Sequence, residues 1–216
     1  MKIWILLLLI LTAALPVIIV FLWFRVRKPD ITRLWFLASL AAGIVSLLAA
    51  ALLQSLFSPP AGTFFWQLFF GVFVRIALIE EVSRLITLVP LLKIGNHADK
   101  NKTFGASLGL VAGLGFAMVE NAAYGMADIH ITLIRAFTAA PLHGACGIRT
   151  GEAVFILRQH PAKALFLFVS AVLIHGAYNL MIQSFSLPAV LAIPVAYAAL
   201  FASMYLVKDN GRNGDN

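Results

Sequence analysis

Long apolar stretches alternate with short polar connections along the chain. Because an α-helix needs about 20 mostly apolar residues to cross a bilayer, each stretch is long enough to form one span. We predict seven spans, at about residues 3–24, 34–57, 64–92, 103–124, 131–157, 164–184 and 187–207. The pattern therefore predicts an all-α fold, a polytopic transmembrane helix bundle, with a single membrane domain over residues 1–207 and a polar cytoplasmic tail over residues 208–216.

The composition excludes an ordinary soluble domain. Of the 216 residues, 62% are hydrophobic and 12% are charged, whereas a soluble domain carries about 25% charged residues. The first stretch stays apolar as far as Phe24, which is longer than the apolar region of a secretory signal peptide. We therefore expect it to be retained as a span; its cleavage would leave six spans and the same core. The single Cys146 excludes an intrachain disulfide and is expected to fill space.

The net charge of +7 arises from basic residues at alternate connections between the spans. These connections and the tail carry Arg25, Arg27, Lys28, Arg33, Lys93, Lys100, Lys102, Arg158, Lys163, Lys208 and Arg212. The intervening connections, 58–63, 125–130 and 183–187, contain no lysine or arginine. By the positive-inside rule, this asymmetry predicts an external N-terminus and a cytoplasmic C-terminus. The predicted partner of the charge is the lipid bilayer, through its anionic headgroups, and no nucleic acid is expected to bind.

Charged and polar side chains also occur inside the predicted spans. Each charge near the bilayer centre costs a few kcal/mol on insertion scales, so a cluster of such residues needs a reason. At a rise of about 1.5 Å per residue, counted from the span ends, one polar residue in each of four spans lies near the middle of the membrane or toward its outer half. They are Glu80, Glu120, His143 and His175. The coincidence of depth predicts that these groups form one site.

Helical spacing shows which side chains share a face. Arg84 follows Glu80 by four residues and Glu81 by three, so its guanidinium can neutralise either carboxylate. His175 and Asn179 also lie one turn apart. Carboxylates, imidazoles and a carboxamide can activate water and stabilise an oxyanion. The same groups can ligate a divalent metal, and the spacing alone does not separate the two uses.

Structural roles are predicted for the remaining polar groups in the spans. Arg149 and Glu152 are three residues apart and are expected to form an ion pair. Arg75 and Arg135 are expected to snorkel toward the interface. Pro141 is expected to bend the fifth span. A face suited to close helix packing is predicted in the fourth span from Gly105, Gly109, Gly113 and Gly115.

Four segments, in this order, resemble the motifs of the PrsW family of intramembrane proteases, which is related to the CAAX-processing and bacteriocin-immunity group. They are Glu80-Glu81-Val82-Ser83-Arg84, the stretch from Gly113 to Tyr124 with Phe116, Glu120 and Asn121, the stretch from Arg135 to Gly144 with Pro141 and His143, and His175-Gly176-Ala177-Tyr178-Asn179. The resemblance covers about residues 75–180. Glu120 stands where the wider group usually has histidine, as in PrsW-type members. Arg84 stands where PrsW members often have lysine, which preserves the charge.

The resemblance implies an intramembrane endopeptidase, of the glutamic type or a metalloprotease. In the family this activity is associated with the cleavage of single-span membrane proteins such as anti-sigma factors, which starts a signalling cascade. The implied location is the bacterial cytoplasmic membrane.

The chemistry of the residues gives each a hypothetical role. Glu80 or Glu81 is expected to act as general base and Arg84 as its charge partner, with His143 positioning the water. His175 and Asn179 are expected to donate to the oxyanion. Glu120 is expected to ligate a metal or to complete the proton network. One alternative is a zinc ion bound by Glu120, His143 and His175, and the other is metal-free chemistry.

Two other classes of function accommodate the same residues. Intramembrane glutamate and histidine residues also relay protons or bind ions in transporters, although the chain lacks the internal repeat that many transporter folds carry. A catalytically silent membrane scaffold is the third class. Cleavage that depends on Glu80 or Glu81 separates the protease from both.

Overall fold

The computed structural model describes residues 3–27, 31–57, 64–93, 103–183 and 189–209, and every regular element in these ranges is helical. The prediction of an all-α fold is therefore confirmed. The α-helices are α1 (Ile3–Arg27), α2 (Arg33–Ser55), α3 (Phe65–Phe70), α4 (Ile79–Lys93), α5 (Phe104–Gly125), α6 (Ile129–Phe137), α7 (Ala139–Ile156), α8 (Pro161–Gln183) and α9 (Ala192–Asp209). A π-helical segment, Gly71–Leu78, joins α3 to α4, and a 3-10 turn, Ala189–Leu191, precedes α9.

Four of the described helices, α1, α2, α5 and α8, are long and apolar enough to cross a membrane. The consecutive helices α6 and α7 would add a fifth span if they cross together. The predicted third span is divided into α3, the π segment and α4, and the predicted seventh corresponds to the shorter apolar helix Ala192–Tyr205. Seven spans and the orientation of the termini stay predictions. Lys28, Lys100, Lys102 and the tail beyond residue 209 lie outside the described residues.

The predicted fifth span is bent by 45° between α6 and α7. The break falls at Thr138, three residues before Pro141. Proline has no N–H to donate to the carbonyl four residues earlier, and its ring crowds that carbonyl. For Pro141 that carbonyl belongs to Phe137, the last residue of α6. The expected bend is therefore present, but it lies N-terminal to Pro141, next to the residue whose carbonyl the proline leaves unbonded.

Helix α5 lies at the centre of the bundle, in close contact with α7. A Cβ atom added at Gly109 would collide with the carbonyl of Gly147, and one added at Gly113 would collide with that of His143. Gly115 approaches the backbone of Leu40 on α2 in the same way. The predicted glycine face is thus used for packing on two sides. The resulting proximity brings the ring of His143 to within 4.9 Å of the ring of Phe116 on α5, measured between centroids.

The outside of the bundle is apolar. On α1, for example, Leu7 and Leu11 are 62% and 59% exposed, and on α2 Leu52 is 66% exposed. A continuous apolar surface of this kind is unfavourable in water and is matched by lipid acyl chains. Together with the apolar helices of membrane-crossing length, it identifies an integral membrane protein.

Candidate active site

Glu81 is fully buried and has a hydrogen-bond donor on each carboxylate oxygen. Its Oε1 atom accepts from Nη1 of Arg84 at 2.5 Å and lies 3.0 Å from Nδ1 of His175. Its Oε2 atom accepts from the hydroxyl of Thr150 on α7 at 2.9 Å. Because an ionised carboxylate only accepts, Nδ1 of His175 carries the proton in this contact. Glu81 thus joins α4, α7 and α8 and fixes the orientation of His175.

Glu80 has one engaged oxygen and one free oxygen. Its Oε1 atom accepts from the side-chain amide of Gln54 on α2 at 3.1 Å. Its Oε2 atom is buried and has no hydrogen-bond partner among the described residues. The nearest charged or basic group to Oε2 is Nε2 of His175 at 3.5 Å. With Nδ1 of a neutral His175 protonated, two lone-pair atoms face each other here, an arrangement that a proton or a cation between them stabilises.

His143 is held from both sides of its ring. Its Nδ1 atom accepts from Nη2 of Arg84 at 3.3 Å, since a guanidinium only donates. Its Nε2 atom therefore carries the proton and donates to Oε2 of Glu120 at 2.9 Å. The ring also meets that of His175 edge-on, with centroids 4.9 Å apart. Arg84 is itself fully buried and stacks 4.8 Å from the ring centroid of Phe116.

Arg135 turns into the bundle, so the expectation that it snorkels toward the interface is wrong. Its Nη2 atom donates to Glu120 at 2.5 Å and its Nε atom donates to Oδ1 of Asn121 at 2.9 Å. The guanidinium also lies 4.1 Å from the ring centroid of Tyr124. The bend between α6 and α7 directs α6 toward the end of α5, where a desolvated carboxylate is a stronger partner than the interface. Arg75 likewise points to α2, where it donates to the backbone carbonyl of Gln54 at 3.2 Å.

The predicted ion pair between Arg149 and Glu152 is also wrong. Arg149 donates to the hydroxyl of Ser203 at 2.8 Å and to that of Ser170 at 2.7 Å. Oε2 of Glu152 is buried with no hydrogen-bond partner among the described residues. Spacing on one helix permits a contact, but here Arg149 reaches hydroxyls on α8 and α9 instead.

Two predicted groups lie at the margin of the cluster. Asn179 is half-buried one turn after His175 on α8, and among the described hydrogen bonds none joins it to the other site residues. Cys146 is buried, with its Sγ atom 3.5 Å from the carbonyl of Ala171, in keeping with a small packing residue.

Gln54 and Thr150 contact the two glutamates and were not found by sequence reasoning. Uncharged polar residues are inexpensive in a membrane helix compared with charged ones, so neither stands out from its neighbours. Neither residue lies within a helical turn of Glu80 or Glu81 in the sequence. Only the packing of α2 and α7 against α4 reveals them.

Within the described part of the chain, two groups of side chains have donor atoms within 4.8 Å of one another and could hold a metal ion. One comprises Glu80, His143 and His175, and the other comprises Glu81, Cys146 and His175. The first contains the free oxygen of Glu80 facing an imidazole nitrogen, which suits a divalent cation. In the second, the Arg84 guanidinium already neutralises Glu81. Glu120 is in neither group and contacts His143 and Arg135 instead.

An apolar groove of about 360 Å³ lies between the end of α2 and the π segment that leads to Glu80. It is lined by Phe57, Phe70, Gly71, Val74, Arg75, Leu78 and Ile79. Arg75 contributes the charged group of this lining. It donates to the backbone of Gln54, whose side chain in turn donates to Glu80. The groove thus reaches Ile79, the residue that precedes Glu80.

Residues 31–207 match the family model described as PrsW family intramembrane metalloprotease. The match covers most of the chain and extends on both sides beyond the 75–180 range of the sequence motifs. It includes α2, with Gln54, and most of α9. Comparison with curated proteins and with solved structures gives no match.

Proposed function

We propose that this chain, which belongs to the PrsW family of intramembrane metalloproteases, hydrolyses a peptide bond in or beside a membrane span with Glu80 as the proton-accepting carboxylate. One observation carries the proposal. The Oε2 atom of Glu80 is buried without a hydrogen-bond partner among the described residues and faces an imidazole nitrogen at 3.5 Å. A general base needs a free acceptor within hydrogen-bond reach of the water whose proton it takes, and Oε2 of Glu80 is such an acceptor.

The two adjacent glutamates take different roles in this proposal. Both oxygens of Glu81 already accept hydrogen bonds from Arg84, His175 and Thr150. Such a carboxylate has little capacity left for a water proton, and its contact with His175 fixes which imidazole nitrogen carries hydrogen. Glu80 keeps one oxygen for the chemistry. Glu81 and Arg84 are therefore positioning residues.

The geometry supports one proton path. Water gives a proton to the acceptor pair of Glu80 Oε2 and His175 Nε2, its oxygen attacks the carbonyl carbon, and the carbon–nitrogen bond then breaks. The proton held by the pair passes to the leaving amine, so no other reactant is needed. His143, fixed between Arg84 and Glu120, forms the opposite wall of the site. Asn179 is the proposed oxyanion donor, one turn from His175 on α8.

The residues fit the metal that the family description implies. Glu80, His143 and His175 would hold it, since their donor atoms lie within 4.8 Å of one another and one oxygen of Glu80 is unengaged. With the ion bound, Oε2 of Glu80 and Nε2 of His175 would be ligands in place of proton acceptors, and Nδ1 of His143 would exchange its contact with Arg84 for the metal. We propose zinc, which favours nitrogen and oxygen ligands and would supply a Lewis acid that lowers the pKa of its water. Glu120, expected from the sequence to be a ligand, is proposed instead to orient His143 through the contact at 2.9 Å.

The proposed substrate is a membrane protein with a single span, such as an anti-sigma factor, cleaved in regulated proteolysis at the bacterial cytoplasmic membrane. The burial of the site among five helices, α2, α4, α5, α7 and α8, supports a substrate that is itself embedded in the bilayer. A soluble peptide would have to leave water to reach Glu80, which is 5% exposed.

New protein termini in membranes from cells of the native host test this function. Cells expressing the wild type are compared with cells expressing Glu80→Gln and, as a matched control, Glu152→Gln, which alters a buried glutamate outside the cluster. We expect termini near transmembrane segments in the wild type and in Glu152→Gln, and their loss in Glu80→Gln. Identical termini with all three proteins folded and abundant would refute the assignment. Proton or ion flux in liposomes would then favour a transporter.

A further inference from the structure

We propose that Gln54 is a positioning residue that orients the Glu80 carboxylate, and that Arg75 holds Gln54 in place. The inference rests on the proposed role of Glu80 and adds a helix, α2, to the residues that build the site. Gln54 lies in the last turn of α2, and 26 positions separate it from Glu80 in the sequence.

The contact between Gln54 and Glu80 has a defined polarity. Nε2 of Gln54 lies 3.1 Å from Oε1 of Glu80. Because an ionised carboxylate only accepts hydrogen bonds, the amide nitrogen rather than the amide oxygen must face it. The side chain of Gln54 is half-buried, so bulk water replaces this donor only in part when it is removed.

The contact decides which oxygen of Glu80 is available. The terminal torsion of a glutamate side chain is broad and roughly two-fold, so an unrestrained carboxylate samples many orientations. Gln54 engages Oε1, and the remaining Oε2 then faces Nε2 of His175. Loss of the amide would free the torsion and spread the two oxygens over orientations in which neither faces His175.

Arg75 fixes the other side of Gln54. Its Nη2 atom donates to the backbone carbonyl of Gln54 at 3.2 Å. The same carbonyl accepts from the backbone N–H of Phe57 at 3.2 Å, and a cation at this end of a helix complements the helix dipole. Arg75 belongs to the π segment and Glu80 follows it by five residues, so one continuous segment binds both the main chain and the side chain of Gln54.

A purely structural role, in which Gln54 only holds α2 against α4, makes a different prediction from a positioning role. If Gln54 acts through the Glu80 carboxylate, its loss has no further effect once that carboxylate is gone. A general packing effect would persist in the Glu80→Gln background. Residues in contact show such non-additivity in double-mutant cycles, whereas independent effects add.

The experiment measures Zn²⁺ affinity of the full chain in detergent micelles by competition with a chelating dye. The variants are Gln54→Leu, Glu80→Gln and the double variant, with Gln183→Leu as a matched control at an exposed glutamine on α8. We expect Gln54→Leu to weaken binding about 10–100-fold, as for other groups that orient a metal ligand. In the Glu80→Gln background we expect less than about a twofold further change, and none for Gln183→Leu.

Two further variants guard against a misfolded Gln54→Leu protein. Gln54→Asn keeps the amide on a shorter stem, and Arg75→Met removes the donor to the carbonyl of Gln54 while keeping an unbranched side chain in the groove. We expect both to unfold at the wild-type temperature and to bind Zn²⁺ with a smaller loss of affinity than Gln54→Leu. In cleavage of a substrate found by the comparison of protein termini, all three should lower kcat and leave KM within about twofold, because positioning a base acts in the transition state.

The outcomes separate the two proposals. If Glu80→Gln lowers Zn²⁺ affinity and cleavage but Gln54→Leu does not, the role of Gln54 is refuted and the proposed function stands. Equal losses from Gln54→Leu in both backgrounds refute positioning in favour of packing. If Glu80→Gln changes neither readout, the proposed function fails, and the role of Gln54 fails with it.

Discussion

Replacing Gly113 by alanine tests whether the close approach of α5 and α7 holds His143 in the site. A Cβ atom at Gly113 would collide with the carbonyl oxygen of His143 and come within 2.8 Å of its carbonyl carbon. Both atoms belong to the backbone of α7, so a side-chain rotation cannot relieve the overlap. The helices must separate, which moves His143 away from Glu120 and Phe116 on α5 and so disturbs the orientation of its ring.

The expected cost can be bounded from the same geometry. Overpacking a close-packed interior costs about 1–3 kcal/mol. The gain in helix propensity from glycine to alanine, up to about 1 kcal/mol in water, offsets part of it. We therefore expect Gly113→Ala to lose about 1–2 kcal/mol of stability and to bind Zn²⁺ at least about tenfold more weakly, as for other disturbances around a metal site.

Gly144→Ala is the matched control, one residue along α7 from His143. Its added Cβ would meet Cδ1 of Leu110 at 3.1 Å and Cδ2 of Leu114 at 3.6 Å, both at the ends of flexible side chains. This variant has the same propensity gain without a backbone collision. Thermal unfolding in micelles and dye competition measure both quantities. Equal stability and equal affinity in the two variants would show that the glycine contact does not position His143.

Three further predictions concern the surroundings of the glutamates. Thr150→Val removes the donor to Oε2 of Glu81 and should lower the free energy of unfolding by about 1–3 kcal/mol, measured by thermal unfolding. Arg84→Met leaves the buried Glu81 carboxylate without its cation and should lower the free energy of unfolding by about 3–5 kcal/mol, measured in the same way. Val74→Trp narrows the groove beside the π segment and should slow cleavage of a single-span substrate, measured in membranes, while Zn²⁺ affinity stays unchanged.

Each of these three has a control and a contradicting result. Thr87→Val removes a hydroxyl that donates to the carbonyl of Arg84 in its own helix. An equal loss of unfolding free energy in that variant would show that the contact of Thr150 with Glu81 has no particular importance for stability. Adding Glu81→Gln to Arg84→Met should recover part of the loss, and no recovery would contradict the ion-pair argument. Val45→Trp enlarges a valine on α2 that is 53% exposed. If it slows cleavage as much as Val74→Trp does, the slowing is not caused by the narrower groove.

The sequence predicted the class of fold and the centre of the site for identifiable physical reasons. Charged residues are so costly in a membrane that Glu80, His143 and His175 stand out individually, and coincident depth then brings them together. Glycines four residues apart on α5 predicted a close helix contact because only a missing Cβ permits it, and the structure shows that the partner is α7. These signals are local in sequence and strong in energy.

Interactions between helices could not be predicted in the same way. Arg149 and Arg135 have long side chains that reach neighbouring helices, so helical spacing and snorkelling tendency did not identify their partners. Gln54 and Thr150 are ordinary residues until the packing of α2 and α7 places them against the glutamates. The division of the predicted third span by a π segment also leaves no mark in hydropathy, since Gly71–Leu78 is as apolar as an α-helical span.

The π segment between α3 and α4 has a consequence for the divergence of related sequences. Deleting or inserting one residue in a helix turns everything beyond it by about 100°, and a π segment tolerates such a change without a break in the helix. A length change within residues 71–78 would therefore reorient α3, whose Trp66 and Phe70 are 67% and 62% exposed, relative to α4. The pairing of Glu81 with Arg84, which lies wholly inside α4, would stay intact. Evolution can thus change the aromatic surface toward lipid or substrate by single-residue insertions and deletions without rebuilding the pairing inside α4.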